Sequence, residues 1–386
     1  MGEPDVLIVG AGPAGSIAGL VLARAGVRVR IVDRASFPRD KLCGDTINPG
    51  TLARLRALGV AGEIDATGLR VDGMIVTSAD AAVVGRYPRG LCGRALLRRD
   101  LDWLLLRQAM DAGCAFDPRV AVTGAVVEDG RVVGVRVSGA RACRLAARVT
   151  IAADGRRSAI AWSLGAARHP ASPRRWAIGA YFEGVRLFSQ TTQSDLFVTF
   201  GEMHVRRNCY IGVAPVGQNL TNVCLVHPSH PADPAMRDAV RLLHDTLAAD
   251  PQLAPRFADA RLVTPPTVLG PLAVDTTPPA LDGLLLAGDA AGFIDPMTGD
   301  GLRFAIHGGE LAAEAALNAL THGWPGLHAR LDARRRRAFA AKQRFNRGLR
   351  ALVGSPAIVG AAAIGARIAP AVLQRVIARA GDCGAA

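Results

Sequence analysis

The sequence predicts an α/β protein: a Rossmann-like dinucleotide-binding domain, an inserted and mostly antiparallel domain, and a helical C-terminal tail. Three observations predict it. Residues 5–9 form a short apolar run that leads into Gly10-Ala-Gly12-Pro-Ala14-Gly15, with Asp33 further on. A second apolar run, 284–287, leads into Gly288-Asp289, with Gly292 behind it. Between them, from about 177 to 274, short apolar runs replace helical spacing over most of the stretch. A glycine-spaced motif that follows a strand and opens a helix marks a phosphate-binding turn. One chain carrying both the first and the second motif points to bound FAD.

Each element has a physical reason. The run at 5–9 reads as a buried parallel strand. Gly10 allows the tight turn, Gly12 lets the backbone approach a pyrophosphate, and Gly15 lets the helix pack close to the strand. That helix, over about 14–25, starts at Ala14 and points its first amides at the phosphates. Gly26 ends it. A second strand at 27–32 carries Asp33 at its tip, beside Arg34, where a carboxylate can accept hydrogen bonds from a ribose hydroxyl. Helices are expected at 49–58 and 100–112 and a strand at 69–77. A hairpin is expected at 120–127 and 131–137, followed by a strand at 148–153 that ends in Asp154-Gly155. In the inserted region, strands are expected at 177–182, 196–200, 209–215 and 222–227, with a helix at 236–248. The chain then returns through a strand at 284–288 to a long helix over 301–320.

These elements divide the chain into an FAD-binding domain (1–70, 95–165 and 275–325), a substrate domain (71–94 and 166–274) and a C-terminal helical region (326–386). The tail holds the run Arg334–Arg337 and apolar pieces at 349–353, 358–364 and 372–377. It reads either as helices packed on the body or as an amphipathic surface helix resting on a membrane.

Composition sets further bounds. A chain of 386 residues exceeds one simple core, so two lobes are expected. Mean hydropathy is +0.22, yet no apolar stretch has the length of a membrane span. The net charge of +13 is almost wholly arginine, since Lys41 and Lys342 are the only lysines. No nucleic-acid module accompanies it, so a dispersed basic surface is expected and no nucleic-acid partner. The seven cysteines show neither C-x-x-C nor a metal-ligand spacing, and no metal is expected. Their odd number, with a strand starting directly after the N-terminus, suggests reduced thiols and a cytoplasmic location, with membrane association through the tail as an extension.

With these residues in view, the chain resembles the FAD-dependent geranylgeranyl reductase family, within the para-hydroxybenzoate-hydroxylase-like flavoproteins. The resemblance covers nearly the whole chain. It implies that Gly10, Gly12, Gly15 and Asp33 hold the adenosine end of FAD and that Arg98 contacts FAD from the start of a helix. Asp154-Gly155 matches the DG motif of the class and Gly288-Asp289 its GD motif, the aspartate facing the ribityl chain. The segment Asp295–Leu302, with Pro296, Gly299, Gly301 and Leu302, is implied to run beneath the isoalloxazine. The helix starting at Gly301 would point its amides at the flavin edge. Lys41-Leu-Cys43-Gly44-Asp45 resembles the Cys-Gly loop of prenyl and menaquinone reductases, which lies on the substrate side of the flavin. Cys43 is then either a catalytic thiol beside the flavin or a small residue in a tight loop.

The resemblance departs in one place. Tyr210-Ile-Gly212-Val-Ala214-Pro215 matches the family's aromatic-Trp-Phe-Pro segment only at Tyr210 and Pro215, the two residues assigned to substrate. Reduction of a C=C bond of an isoprenoid or other lipophilic substrate is the reading that follows. Electrons would come from NAD(P)H or another reductase, since no separate NAD(P)H domain is visible. Hydroxylation of an aromatic or polyketide-type substrate is the alternative. Halogenation ranks lower, because the tryptophan-rich segment it requires is missing, and a non-catalytic prenyl-binding role ranks lower still.

Overall fold

The computed structural model describes residues 3–139, 143–171, 174–188, 190–191, 197–217, 219–228, 233–293, 297, 299–353, 358–361 and 370–384. Five parallel strands form the central sheet, in the order Leu284–Leu286, Val149–Ala152, Val6–Val9, Val29–Asp33 and Ala115–Pro118. Successive side chains on a strand point to opposite faces, so each strand feeds two cores. Val6, Ile8, Ile31, Val149 and Ile151 pack against the helices Pro13–Arg24, Arg98–Asp111 and Gly301–His322. Leu7, Val9, Val32, Ala152 and Leu284 pack against an antiparallel sheet of Val122–Glu128, Arg131–Val137 and Cys143–Ala146. Each fully buried aliphatic side chain contributes about 1.5–3 kcal/mol, so the two layers lock the parallel sheet from both sides.

A second, larger sheet follows the order Arg261–Leu262, Arg175–Glu183, Leu220–Pro228, Cys209–Pro215, Phe200–Arg206, Gly73–Thr77 and Ala82–Arg86. Every pairing in it is antiparallel except the one between Phe200–Arg206 and Gly73–Thr77. One face packs on the helix Ala239–Ala249 through Ile178, Ile211, Val223, Leu243 and Leu247. The other face meets the loop that holds Leu42 and Asp45.

The differences from the sequence reading have physical causes. The strand expected at 69–77 is two strands. Leu69–Val71 pairs with Gly93–Ala95, while Gly73–Thr77 enters the large sheet. Asp72 sits at the switch, its amide bonded to Thr199 and its carbonyl to Tyr87. The long strand after 199 is Phe200–Arg206, because its polar residues satisfy one another. His204 and Glu202 are buried, and Thr77, His204, Glu202 and Arg256 form one hydrogen-bonded chain. Ala115–Pro118, with Asp117 and Pro118, lacks strand periodicity but is tolerated at the sheet edge. In the tail, the described residues include the helix Pro370–Ala380. Among the described residues, no helix is long and apolar enough to cross a membrane.

Candidate functional site

The sequence motifs converge at the carboxyl ends of adjacent parallel strands. The amide of Gly10 donates to Val32 O (2.8 Å), that of Ala153 to Val9 O (2.8 Å) and that of Ala287 to Ala152 O (2.8 Å). Gly10, Asp154 and Gly288 therefore stand side by side, each where its strand ends. Open α/β sheets bind ligands at such carboxyl ends.

The glycines divide by what surrounds them. A Cβ on Gly10 would lie 2.4 Å from Ala153 O, and one on Gly15 only 1.8 Å from Gly10 O. These two are required by backbone packing. Gly288 has φ +59° and would touch Ala14 at 2.9 Å, so buried Ala14 is a packing position between the two motifs. Gly12, Gly44, Gly299 and Gly301 differ. Among the described residues, a Cβ on Gly12 would find only Arg39, at 3.7 Å, and the other three would meet no atom within 4 Å. At Gly12, Gly44 and Gly301 neither packing nor backbone conformation demands glycine, and a ligand brought close to the backbone would, whereas the φ of +66° at Gly299 favours glycine by itself.

The acidic residues carry more structural work than the sequence suggests. Asp33 accepts from the amides of Ala11 and Ala35, both at 2.8 Å, so it also fastens the glycine turn. Arg34 beside it is exposed. Asp154 caps the short helix Ala159–Ser163 through one oxygen (Ala159 N, 2.7 Å), and its other oxygen is buried with no hydrogen-bond partner. Burial raises its carboxyl, opposed by Ser158 and neighbouring amides. The φ of +81° at Gly155 completes that turn. Asp289 is raised by burial and eased down through space by Lys41, Arg98 and Arg156. Nη2 of Arg156 is likewise buried without a partner.

Arg98 is buried and forms a bidentate pair with Asp102 (2.7 and 3.0 Å). Burial opposes its charge, and Asp102 and a contact with the Cys43 thiol more than offset this. Arg98 thus meets the Cys43 loop directly. Leu302, by contrast, is a core residue of the helical layer. Asp300, between Gly299 and Gly301, would set a negative charge at the helix N-terminus. It is turned instead to Asn48 (3.0 Å), Asn346 (2.8 Å) and Lys342 (3.3 Å). Pro296 lies outside the described residues.

The loop 43–45 joins the large sheet to the helix Arg98–Asp111. Asp45, at φ +52°, is buried and accepts from Tyr181 Oη (2.7 Å), Asn222 Nδ2 (2.5 Å) and the Arg98 amide (3.0 Å). Asn222 also donates to Cys43 O at 2.6 Å. Strand register puts Tyr181 opposite Asn222 and Asn222 opposite Ala214. Gly179, Cys224 and Gly212 form the next row on the same face. Leu42 packs on Gly179, so this face looks at the loop. Gly212, Ala214 and Cys224 are partly exposed there. Tyr210 is buried with Leu42 and Met297, and Pro215 ends its strand, also buried. The sequence reading singled out neither Asp45, Tyr181 nor Asn222.

The comparisons agree with this geometry. A family model described as FAD binding domain matches residues 3–345. The chain belongs to the FAD-binding domain family. It is a geranylgeranyl reductase-like FAD oxidoreductase, for its relatives carry such names. It is 30% identical to the menaquinone reductase of Mycolicibacterium smegmatis over 346 residues, 84% of this chain and 80% of that one. It is also 30% identical to digeranylgeranylglycerophospholipid reductase 2 of Methanopyrus kandleri over 327 residues, 82% and 78% of the two chains. Among solved structures, the flavin-dependent brominase Bmp2 superposes with a TM-score of 0.86 at 21% identity, over 99% of this chain and 94% of that chain. At that identity the likeness is one of fold. The residues of the flavoprotein fit FAD. Gly12, Gly44, Gly299 and Gly301 leave room beside the backbone, and buried Asp154 Oδ1 and Arg156 Nη2 lack protein partners.

Proposed function

We propose that this flavoprotein reduces a C=C bond of an isoprenoid or other lipophilic molecule, with electrons from NAD(P)H or another reductase. The observation that carries the reading is the seat of Cys43. Its loop lies between the strand-end motifs and a sheet face of Gly212, Ala214 and Cys224, which offers apolar surface to a substrate. The reductase names of the relatives support the same reading. FAD supplies the redox chemistry when bound. The chain's own part is to seat the substrate on the apolar face and to hold Cys43 and Arg98 beside it.

The test is to reduce the FAD-loaded protein anaerobically and follow reoxidation. Rapid anaerobic reoxidation by a prenyl lipid or quinone, with slow reoxidation in air, is expected. Fast reoxidation in air that an aromatic compound stimulates would replace the reading with a monooxygenase, and halide-dependent product would indicate the chemistry of the brominase neighbour. Cys43→Ala is expected to keep FAD and change turnover, and unchanged kinetics would reduce Cys43 to a loop residue.

Membrane contact through the C-terminal helices belongs to the same proposal. Arg336, Arg337, Arg344 and Arg347 are exposed on Leu327–Val353, and Val372 is exposed on Pro370–Ala380. Exposed arginines attract anionic lipid and an apolar side chain can insert. Co-sedimentation with anionic vesicles at low salt, lost in neutral vesicles, is the expected result. Equal absence from both would end this part.

A further inference from the structure

We infer that Asp45 is a positioning residue: a clasp on Tyr181 and Asn222 through which the substrate sheet fixes the Cys43 loop against Arg98. The inference rests on the reading that Cys43 stands at the reaction site.

The geometry is specific. Three elements converge on one carboxylate: the strands Arg175–Glu183 and Leu220–Pro228 and the N-terminus of Arg98–Asp111. The helix N-cap, Leu97, has no side chain able to cap, so Asp45 satisfies the Arg98 amide from a distant loop. Asn222 holds the Asp45 carboxylate and the Cys43 carbonyl with one amide group. The left-handed backbone of Asp45 is one that aspartate and asparagine tolerate and most residues do not. A displaced sheet strand would therefore move the Cys43 carbonyl and the Asp45 carboxylate together.

Charge state modulates the clasp. Burial raises the Asp45 carboxyl to about 6, against the hydrogen bonds from Tyr181, Asn222 and the Arg98 amide and the nearby Arg98 charge. The groups facing it are Tyr181 from one strand, Asn222 from the next, Arg98 from the helix and Cys43 from its own loop. Tyr181 is raised above its ordinary value by burial and by Asp45, and Arg98 is held well above its own, so neither changes charge near neutrality. Burial raises this carboxyl, so the closed clasp binds the proton more tightly than an opened one, and below pH 6 the neutral Asp45 is held more firmly. Above pH 6 the clasp carries a desolvated charge and opens more readily.

The experiment reads the thiol and needs no substrate. FAD-loaded protein is treated with iodoacetamide between pH 5 and 7.5, and alkylation of Cys43 is followed by mass spectrometry as a ratio to exposed Cys143. The ratio removes the ordinary dependence of thiol reactivity on pH. In the wild type the ratio should fall as pH falls through 6, because protonation favours the closed clasp. In Asp45→Asn it should be flat and about tenfold higher at pH 7.5, because the amide nitrogen replaces one acceptor and faces a group that donates. A ratio in Asp45→Asn that matches the wild type at every pH overturns the inference. Should that variant lose FAD, Tyr181→Phe keeps the ring and removes one donor. An unchanged ratio there overturns it equally, and a raised one supports it. Because no substrate is present, failure of the reductase reading would appear in the reoxidation experiment and not here.

Discussion

Gly12→Val is expected to yield a folded protein that no longer holds FAD, whereas Gly15→Ala is expected to yield little folded protein at all. The two glycines stand three residues apart in one motif, but their surroundings are opposite. A Cβ on Gly15 would lie 1.8 Å from the Gly10 carbonyl, a backbone atom that cannot yield without moving the first strand. Overpacking of that severity exceeds the usual cost of about 3 kcal/mol for a strained core substitution. Around Gly12 the nearest atom is the tip of Arg39 at 3.7 Å, so the protein itself tolerates a side chain there. What valine would obstruct is the approach of a pyrophosphate to the turn and to the first amides of Pro13–Arg24. Losing two charge-assisted hydrogen bonds weakens binding by on the order of a hundredfold or more. Asp289→Ala, which removes a carboxylate at the neighbouring strand end, is expected to give the same colourless but folded protein. Visible absorbance of the purified variants reads FAD, and a circular-dichroism melt reads the fold. A fully yellow Gly12→Val would show that the turn does not carry the phosphates.

That contrast also explains what was legible in the sequence. Gly10, Gly12, Gly15 and Asp33 act over short chain distances, so their spacing alone describes a strand, a turn and a helix. The same holds for Gly288-Asp289, whose apolar strand Leu284–Leu286 announces it. Asp45 is different. Its partners Tyr181 and Asn222 are 136 and 177 residues away, and only the register of the large sheet brings them together. A lone aspartate after Cys-Gly gives no sign of that. Polarity misled in a second way. Glu202 and His204 make Phe200–Arg206 look unlike a buried strand, until Thr77 and Arg256 arrive from elsewhere to complete their hydrogen bonds. The Leu302 side chain shows the converse. It adjoins a glycine segment that fits the cofactor, but a helix turns every third or fourth residue inwards, and Leu302 falls on the inward side.

A second large effect on stability is expected from Lys342→Met. Lys342 is almost wholly buried, and its ammonium meets Asp300 at 3.3 Å and the carbonyls of Arg379 and Ala380 at 2.7 Å each. Burial lowers its pKa, and Asp300 opposes the shift. One cation thus joins the N-terminus of Gly301–His322 to the C-terminal end of Pro370–Ala380, where carbonyls favour positive charge. Two further contacts fasten the same tail: Arg303 pairs with Asp382, and the Gly50 amide donates to Gly381 O at 3.0 Å. Methionine fits the volume but takes the Lys342 charge away from buried Asp300, and breaking a buried ion pair costs about 3–5 kcal/mol. The variant should melt several degrees lower, and residues 370–384 should be cut by protease at concentrations that spare the wild type. FAD should also be held less tightly, because Asp300 lies between Gly299 and Gly301, the two positions open to a ligand. Asp300→Asn in the same chain removes the charge and keeps one acceptor oxygen for Asn48, while Asn346, whose Oδ1 has no partner among the described residues, can turn to accept from the new amide. The double variant should recover most of the lost stability, since removing both charges of a buried pair costs far less than removing one. If Lys342→Met alone melts with the wild type, the ammonium contributes nothing to the tail. If the double variant is no better than the single, the loss comes from the two carbonyls and not from Asp300.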